Sequence, residues 1–133
     1  MAFQFSTAAR NAALDAIETA AGTAPTLTIR TGSAPADCAA ADSGTVLATM
    51  TLPTDWLAAA SSGSKALSGT WQDTSADASG TAGHFRIKQG ATCHIQGTVT
   101  ISGGGGDMTL DNNVLATGQQ VTITAFTITA GGA

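Results

Sequence analysis

The sequence predicts a mainly β protein: an antiparallel β-sandwich or jelly-roll-like domain with one N-terminal α-helix. Three observations support this fold class. About seven short segments alternate apolar and polar residues, turn residues separate them, and only the start of the chain has a helical period. Because 133 residues are one domain's length, we expect a single domain over 1–133, with an arm at 1–5, a helix at 6–22 and a β-sandwich at 26–130.

The helix is predicted from its two ends and from its spacing. Ser6 is a favourable N-cap residue, and Gly22 is favourable just beyond the last turn. Between them, apolar residues recur at intervals of three and four. This pattern predicts a buried stripe formed by Ala9, Ala13, Ile17 and Ala20, with Leu14 and Ala21 beside it. Because the stripe is mostly alanine, we expect the helix to pack very close to its partner surface.

The first five residues form a short arm with two large apolar side chains, Phe3 and Phe5. Two interpretations remain open. The rings can fold back on the helix as a hydrophobic staple, or they can dock on another protein, which makes Phe3 and Phe5 the candidate partner-binding residues. Docking predicts that deletion of residues 2–5 weakens binding and leaves the fold intact.

Alternation with a period of two predicts strands along the rest of the chain. The segments with this period lie at 26–30, 45–52, 66–72, 82–88, 92–102 and 108–110. A short helical turn is expected after Pro53, and residues 82–88 and 92–102 are close enough to form a hairpin. The four glycines at 103–106 are expected at a flexible hairpin tip. The segment 120–129 has apolar residues on both faces, which predicts one central strand or a face that meets a partner.

Composition and charge argue against several functions. Only 11% of the residues are charged, and five scattered cations cannot form the basic patch of a nucleic-acid binder. No run of about 20 apolar residues predicts a membrane-spanning helix. Arg10, Asp15 and Glu18 interrupt any apolar run near the N-terminus, so no secretory signal is predicted. We therefore expect synthesis in the cytoplasm, with neither nucleic acid nor membrane as a partner.

Residues that could support catalysis or metal binding are few and scattered. His84 and His94 are the only histidines, and we expect both on exposed polar strand faces rather than as a general base or a metal pair. The aspartates at 73–77, 107 and 111 lack the spacing of a calcium loop and are typical of turns. The glycines at 103–106 have neither the helix nor the lysine of a phosphate loop. The sequence thus predicts a protein that is not an enzyme and has no cofactor and no bound metal.

The chain has two cysteines, Cys38 and Cys93. Two isolated cysteines in a cytoplasmic protein usually remain thiols. A disulfide between Cys38 and Cys93 stays open as an alternative, because a bridge can form once the protein meets an oxidising medium. Metal binding is disfavoured since there is no Cys-x-x-Cys motif.

Several segments together carry a resemblance to a known family. They are STAARNAALDAIETA, LTIRTGSAPADCAAADSGTVLATMTLPTDWLAAASSGSKALSGTWQDTSADASGTAGHFRI, CHIQGTVT, GGGGDMTLDN and GQQVTITAFTITAG. With these segments, nearly the whole chain resembles a family of small virion structural proteins of tailed bacteriophages and prophages. The family provides no catalytic residues to transfer.

The resemblance, with the small size and low charge, implies a capsid decoration (cement) protein. Such a protein would bind the outside of the major capsid protein shell and stabilise it, as a dimer or trimer of its own chain on the virion surface. The alternative is a tail-associated structural protein, a fibre or tail-tip component involved in host attachment.

Overall fold

The computed structural model describes residues 3–132. It confirms the predicted fold class: the chain is mainly β, with 40% strand and 12% helix, and its curled sheets form a sandwich-like arrangement. The described elements are α1 (Thr7–Ala21), β1 (Thr26–Thr31), β2 (Val46–Thr51), β3 (Ser64–Ala66), β4 (Trp71–Asp73), β5 (Gly80–Gln89), β6 (Thr92–Ile101), β7 (Met108–Leu110), β8 (Val114–Leu115), β9 (Val121–Ile123) and β10 (Thr127–Thr129).

The main sheet has the strand order β2-β1-β5-β6-β7, and β8 pairs with the start of β5. The predicted hairpin is confirmed as the antiparallel pair β5–β6. β1 lies between β2 and β5, so its Leu27 and Ile29 are fully buried. The centre of this sheet is therefore the core of the molecule.

Two short ladders, β4–β9 and β3–β10, complete the sandwich. A row of aromatic rings joins them to the main sheet. Trp56 contacts Trp71 at a centroid distance of 6.0 Å, Trp71 contacts Phe126 at 5.5 Å, and Phe126 forms a T-shaped pair with Phe85 of β5 at 5.5 Å. The indole nitrogen of Trp71 donates hydrogen bonds to the carbonyls of Trp56 and Ser68, so the row is also fixed by polar contacts.

The prediction of one central strand over 120–129 is wrong. The segment divides into β9 and β10, which pair with different partners. Alternation places Ala125 on the face of Val121 and Ile123, yet Ala125 is exposed and Phe126 is buried. Because a phenyl ring gains far more from burial than a methyl group, the chain shifts its register by one residue and the strand breaks.

The segment around the four glycines also differs from the prediction. β7 does not return as a hairpin partner but runs parallel to β6, with Val99 opposite Met108. Gly103 and Gly105 adopt positive φ angles of 86° and 81°, which let the chain reverse its direction twice and return parallel to β6. The amide of Gly106 then donates a hydrogen bond to the Thr100 hydroxyl, which holds the loop against β6.

Two smaller predictions are also corrected. The expected strand at 66–72 is two separate strands, β3 and β4, with residues 67–70 between them. The expected helical turn after Pro53 is absent from the described residues; instead Leu57 forms a bridge with Leu67, and Trp56 is fully buried. Burial of the large indole takes precedence over the weak local preference for a helical turn.

The ends of α1 are confirmed, but its predicted buried stripe is wrong. The Ser6 hydroxyl accepts a hydrogen bond from the Ala9 amide, and Gly22 ends the helix. The two buried residues are Leu14 and Ala21, and Ile17 is half-buried. The predicted Ala9, Ala13 and Ala20 are all exposed. The physical reason lies in the polar side chains of the helix, which find partners on the protein body.

Candidate functional site

On the surface helix α1, the half-buried Asn11 and Glu18 face the protein body, whereas every alanine except Ala21 is exposed. Six alanines are exposed on it, which we call the alanine face: Ala8, Ala9, Ala12, Ala13, Ala16 and Ala20. A surface helix ordinarily shows the opposite arrangement, with charged residues outward and apolar residues inward. The alanine face contains no charged side chain.

Backbone amides of the segment 57–63 explain this inversion. Glu18 accepts a hydrogen bond from the Leu57 amide at 3.2 Å, and Asn11 accepts one from the Gly63 amide at 2.9 Å. Asp15 accepts a third from the Ala60 amide at 3.3 Å. These donors belong to a stretch with little regular structure, so the helix supplies the acceptors that the stretch lacks.

Lys65 in β3 completes the attachment of α1. Its side chain is only 2% exposed, and its ammonium lies 2.7 Å from Asp15 and 3.0 Å from Glu18. The hydrogen bond from Lys65 lowers the pKa of Asp15. Burial alone would lower the pKa of Lys65, but the hydrogen bonds to the two carboxylates raise it overall. At neutral pH these charged groups therefore hold α1 against β3.

The arm places two exposed apolar rings just before the first turn of α1. Phe3 is 89% exposed and Phe5 is 56% exposed, so the two rings do not form the hydrophobic staple that was one interpretation of the sequence. The Phe5 amide donates a hydrogen bond to the Gly132 carbonyl at 2.6 Å, which ties the arm to the end of the chain. Met1 and Ala2 of the predicted arm lie outside the described residues. We call the alanine face with Phe3 and Phe5 the docking surface.

A second feature, a charged cluster, lies where the loop 32–44 covers the main sheet. Asp42 of the loop forms ion pairs with Arg86 and Lys88 of β5 and with Arg30 of β1. The Arg86 side chain is 1% exposed and also donates hydrogen bonds to the carbonyls of Asp37 and Cys38. Along β5, Arg86 alternates with Phe85 and Ile87 and so lies on the opposite face of the strand, which the covering loop buries.

The same loop corrects the prediction for His84. The imidazole is fully buried, and its Nδ1 lies 2.9 Å from the Gly32 carbonyl oxygen. His94 is half-buried. Among residues 3–132, no group of three or more histidine, cysteine, aspartate or glutamate side chains is arranged to hold a metal ion.

The structure brings the two cysteines together. Cys38 lies in the loop 32–44 and Cys93 in β6, and their sulfur atoms are 2.7 Å apart as thiols. Sequence reasoning had left a disulfide as the alternative to two separate thiols. Neither the contact nor the burial of Arg86 has a local signal, since both depend on how a long loop folds back.

Comparisons with protein-family models, with curated proteins and with solved structures each found no match. The resemblance to phage virion proteins therefore stays a prediction. Within residues 3–132, no helix has the length and apolar character that a bilayer crossing requires.

Proposed function

We propose that this protein is a non-enzymatic structural protein of a phage virion, a capsid decoration protein that binds the outside of the major capsid protein shell and stabilises it. The observation that supports the proposal is the docking surface: an inverted surface helix with an uncharged alanine face, next to two exposed phenylalanine rings. Together with the family resemblance, this surface favours a protein partner.

The chemistry of the docking surface suits a protein contact. Alanine side chains allow a partner backbone to approach closely and lose no side-chain entropy on binding. Burial of one exposed phenylalanine ring contributes about 2–3 kcal/mol. Because the alanine face has no charge, its desolvation costs little.

Many weak contacts can together stabilise a shell. Each copy would bridge neighbouring capsid subunits, and a dimer or trimer of the chain would contact the shell through two or three docking surfaces at once. Linked contacts of this kind resist the pressure of packaged DNA through avidity, so a modest single contact is sufficient.

The alternative, a tail-associated protein for host attachment, receives less support. Glycan recognition commonly uses exposed aromatic rings, and Trp56 and Trp71 are both fully buried while the chain contains no tyrosine. The two exposed phenylalanines suit a protein contact better than a sugar contact, because they carry no hydrogen-bonding group.

Gold-labelled antibody imaging of intact parent virions tests the proposal. Decoration predicts many gold particles over the head, and particles from a phage with the gene deleted serve as the control. Label confined to the tail or its tip would contradict decoration and support the attachment hypothesis. Absence of label from intact virions would also contradict a position on the outer shell.

A further inference from the structure

We propose that Cys38 and Cys93 form an intramolecular disulfide when the protein meets an oxidising medium, and that this bond fastens the loop 32–44 to the main sheet. The inference does not depend on the proposed function. It starts from the contact of the two sulfur atoms, 2.7 Å apart in the thiol form.

Polar contacts place the loop before any bond forms. The Arg86 guanidinium donates hydrogen bonds at 3.2 Å and 3.1 Å to the carbonyls of Asp37 and Cys38, directly at the loop thiol. The Gln96 side chain donates another, at 2.8 Å, to the Pro35 carbonyl. Asp42, which follows Cys38 in the loop sequence, forms an ion pair with Arg86. The thiols are therefore held together by the fold, which makes closure an intramolecular step with a high effective concentration.

The surroundings of the Cys38 sulfur act on its ionisation in opposite directions. Burial, with the neighbouring Cys93, raises the pKa of the Cys38 thiol to about 11, while the positive Arg86 favours its thiolate. A thiolate is the attacking group in disulfide exchange, so closure is expected to be faster in alkaline solution.

The chemistry balances with a small-molecule disulfide such as oxidised glutathione as the oxidant. The thiolate of one cysteine attacks one sulfur of oxidised glutathione, a mixed disulfide forms, and one glutathione thiolate leaves. The other cysteine then loses its proton to solvent and attacks the protein sulfur of the mixed disulfide, which releases the second glutathione. The protein loses two electrons and two protons in total, and oxidised glutathione is reduced to two glutathione molecules.

The bond would close a loop of roughly 55 residues, which restricts the unfolded chain strongly. We expect the oxidised protein to melt about 10 °C above the reduced protein. The loop 32–44 covers Arg86 and His84, so fastening it also protects the buried polar groups of the main sheet.

The experiment uses the purified full chain and needs no phage particle. The protein is treated with oxidised glutathione, then with N-ethylmaleimide, and its intact mass and melting temperature are compared with a dithiothreitol-treated sample. The expected result is a monomer that has lost two hydrogen atoms, binds no maleimide and melts at the higher temperature. The single variants Cys38→Ser and Cys93→Ser are controls, and their melting temperatures should not rise on oxidation.

Three results would overturn the inference. They are two maleimide adducts after oxidation, a disulfide-linked dimer in place of the monomer, or an equal melting temperature for the closed and reduced forms. None of them bears on capsid binding, so the failure of this inference is separate from that of the proposed function.

Discussion

Single side chains decide which side of α1 faces the protein. Leu14 and Ala21 are the two buried residues, while Asn11 and Glu18 accept hydrogen bonds from the segment 57–63. The spacing of apolar residues could not predict this, because alanine gains little from burial and an unpaired amide at a buried site costs about 1–3 kcal/mol. The spacing of apolar residues in a sequence predicts which apolar side chains share a face, but it does not show which backbone amides lack a hydrogen-bond acceptor.

The aromatic row depends most on Trp71. Its side chain is fully buried between Trp56 and Phe126, and two carbonyls accept its hydrogen. We expect Trp71→Ala to lower the free energy of unfolding by about 3–5 kcal/mol, measured by urea denaturation. Phe3→Ala is the control, and its effect should stay within about 0.5 kcal/mol because the ring is exposed. Equal losses in the two variants would contradict the assigned core.

Asp42 links stability to pH. The hydrogen bond from Lys88, with those from Arg86 and the charge of Arg30, lowers the pKa of Asp42 in the folded protein. A lowered folded pKa means that the stability from Asp42 is present above the unfolded value, near pH 4, and is lost as the pH falls through the folded pKa. We therefore expect acid to destabilise the protein below about pH 4.

The variant Asp42→Asn tests this linkage. It should unfold at lower urea concentration than the unmodified chain at pH 7, and the difference should shrink at pH 3. The control Asp111→Asn changes an exposed carboxylate and should leave the acid dependence as it is. An Asp42→Asn variant with the full acid dependence of the unmodified chain would argue against the role of this carboxylate.

Among the elements, those defined by local signals were predicted and those defined by distant contacts were not. The two ends of the helix, at Ser6 and Gly22, depend on neighbouring residues, and so does the β5–β6 hairpin. Both predictions are confirmed. The break between β9 and β10 depends on the burial of Phe126 against rings far along the chain. The parallel pairing of β7 is likewise invisible to a pattern that fits either strand direction.

Where the chain leaves β1 and enters the loop 32–44, its backbone lies so close to β5 that β5 needs a glycine at this point. A Cβ atom at Gly83 would overlap the carbonyl oxygen of Gly32. The same oxygen contacts Nδ1 of His84. We expect Gly83→Ala to reduce the free energy of unfolding by about 1–3 kcal/mol and to lower the melting temperature. Gly131→Ala is the matched control, since among the described residues beyond its chain neighbours none has an atom within 4 Å of its Cβ position. A harmless Gly83→Ala substitution would show that the loop does not approach β5 so closely.

At the scale of the whole molecule, the charged cluster and the docking surface have different roles. The sandwich and the covering loop bury the charged groups of β5, whereas α1 and the arm leave an uncharged apolar surface outside. Composition predicted a surface of low charge but not where its apolar part would lie. That location follows from the inverted helix, and it is the central element of the proposed function.

A charge pair placed on the alanine face tests this account most directly. The double variant Ala12→Glu/Ala16→Lys adds a pair at a spacing that supports the helix and leaves the net charge unchanged. Its control, Ala36→Glu/Ala116→Lys, changes two exposed alanines outside α1, one in the loop 32–44 and one just after β8. The measurement is co-sedimentation of each protein with shells of the parent phage's major capsid protein that lack the natural protein.

The account predicts that the unmodified chain and the control sediment with the shells, while the α1 variant binds at least tenfold more weakly, because its new charges lose their water on docking. Circular dichroism should show the same fold for all three. An α1 variant that sediments as fully as the unmodified chain would contradict the docking surface.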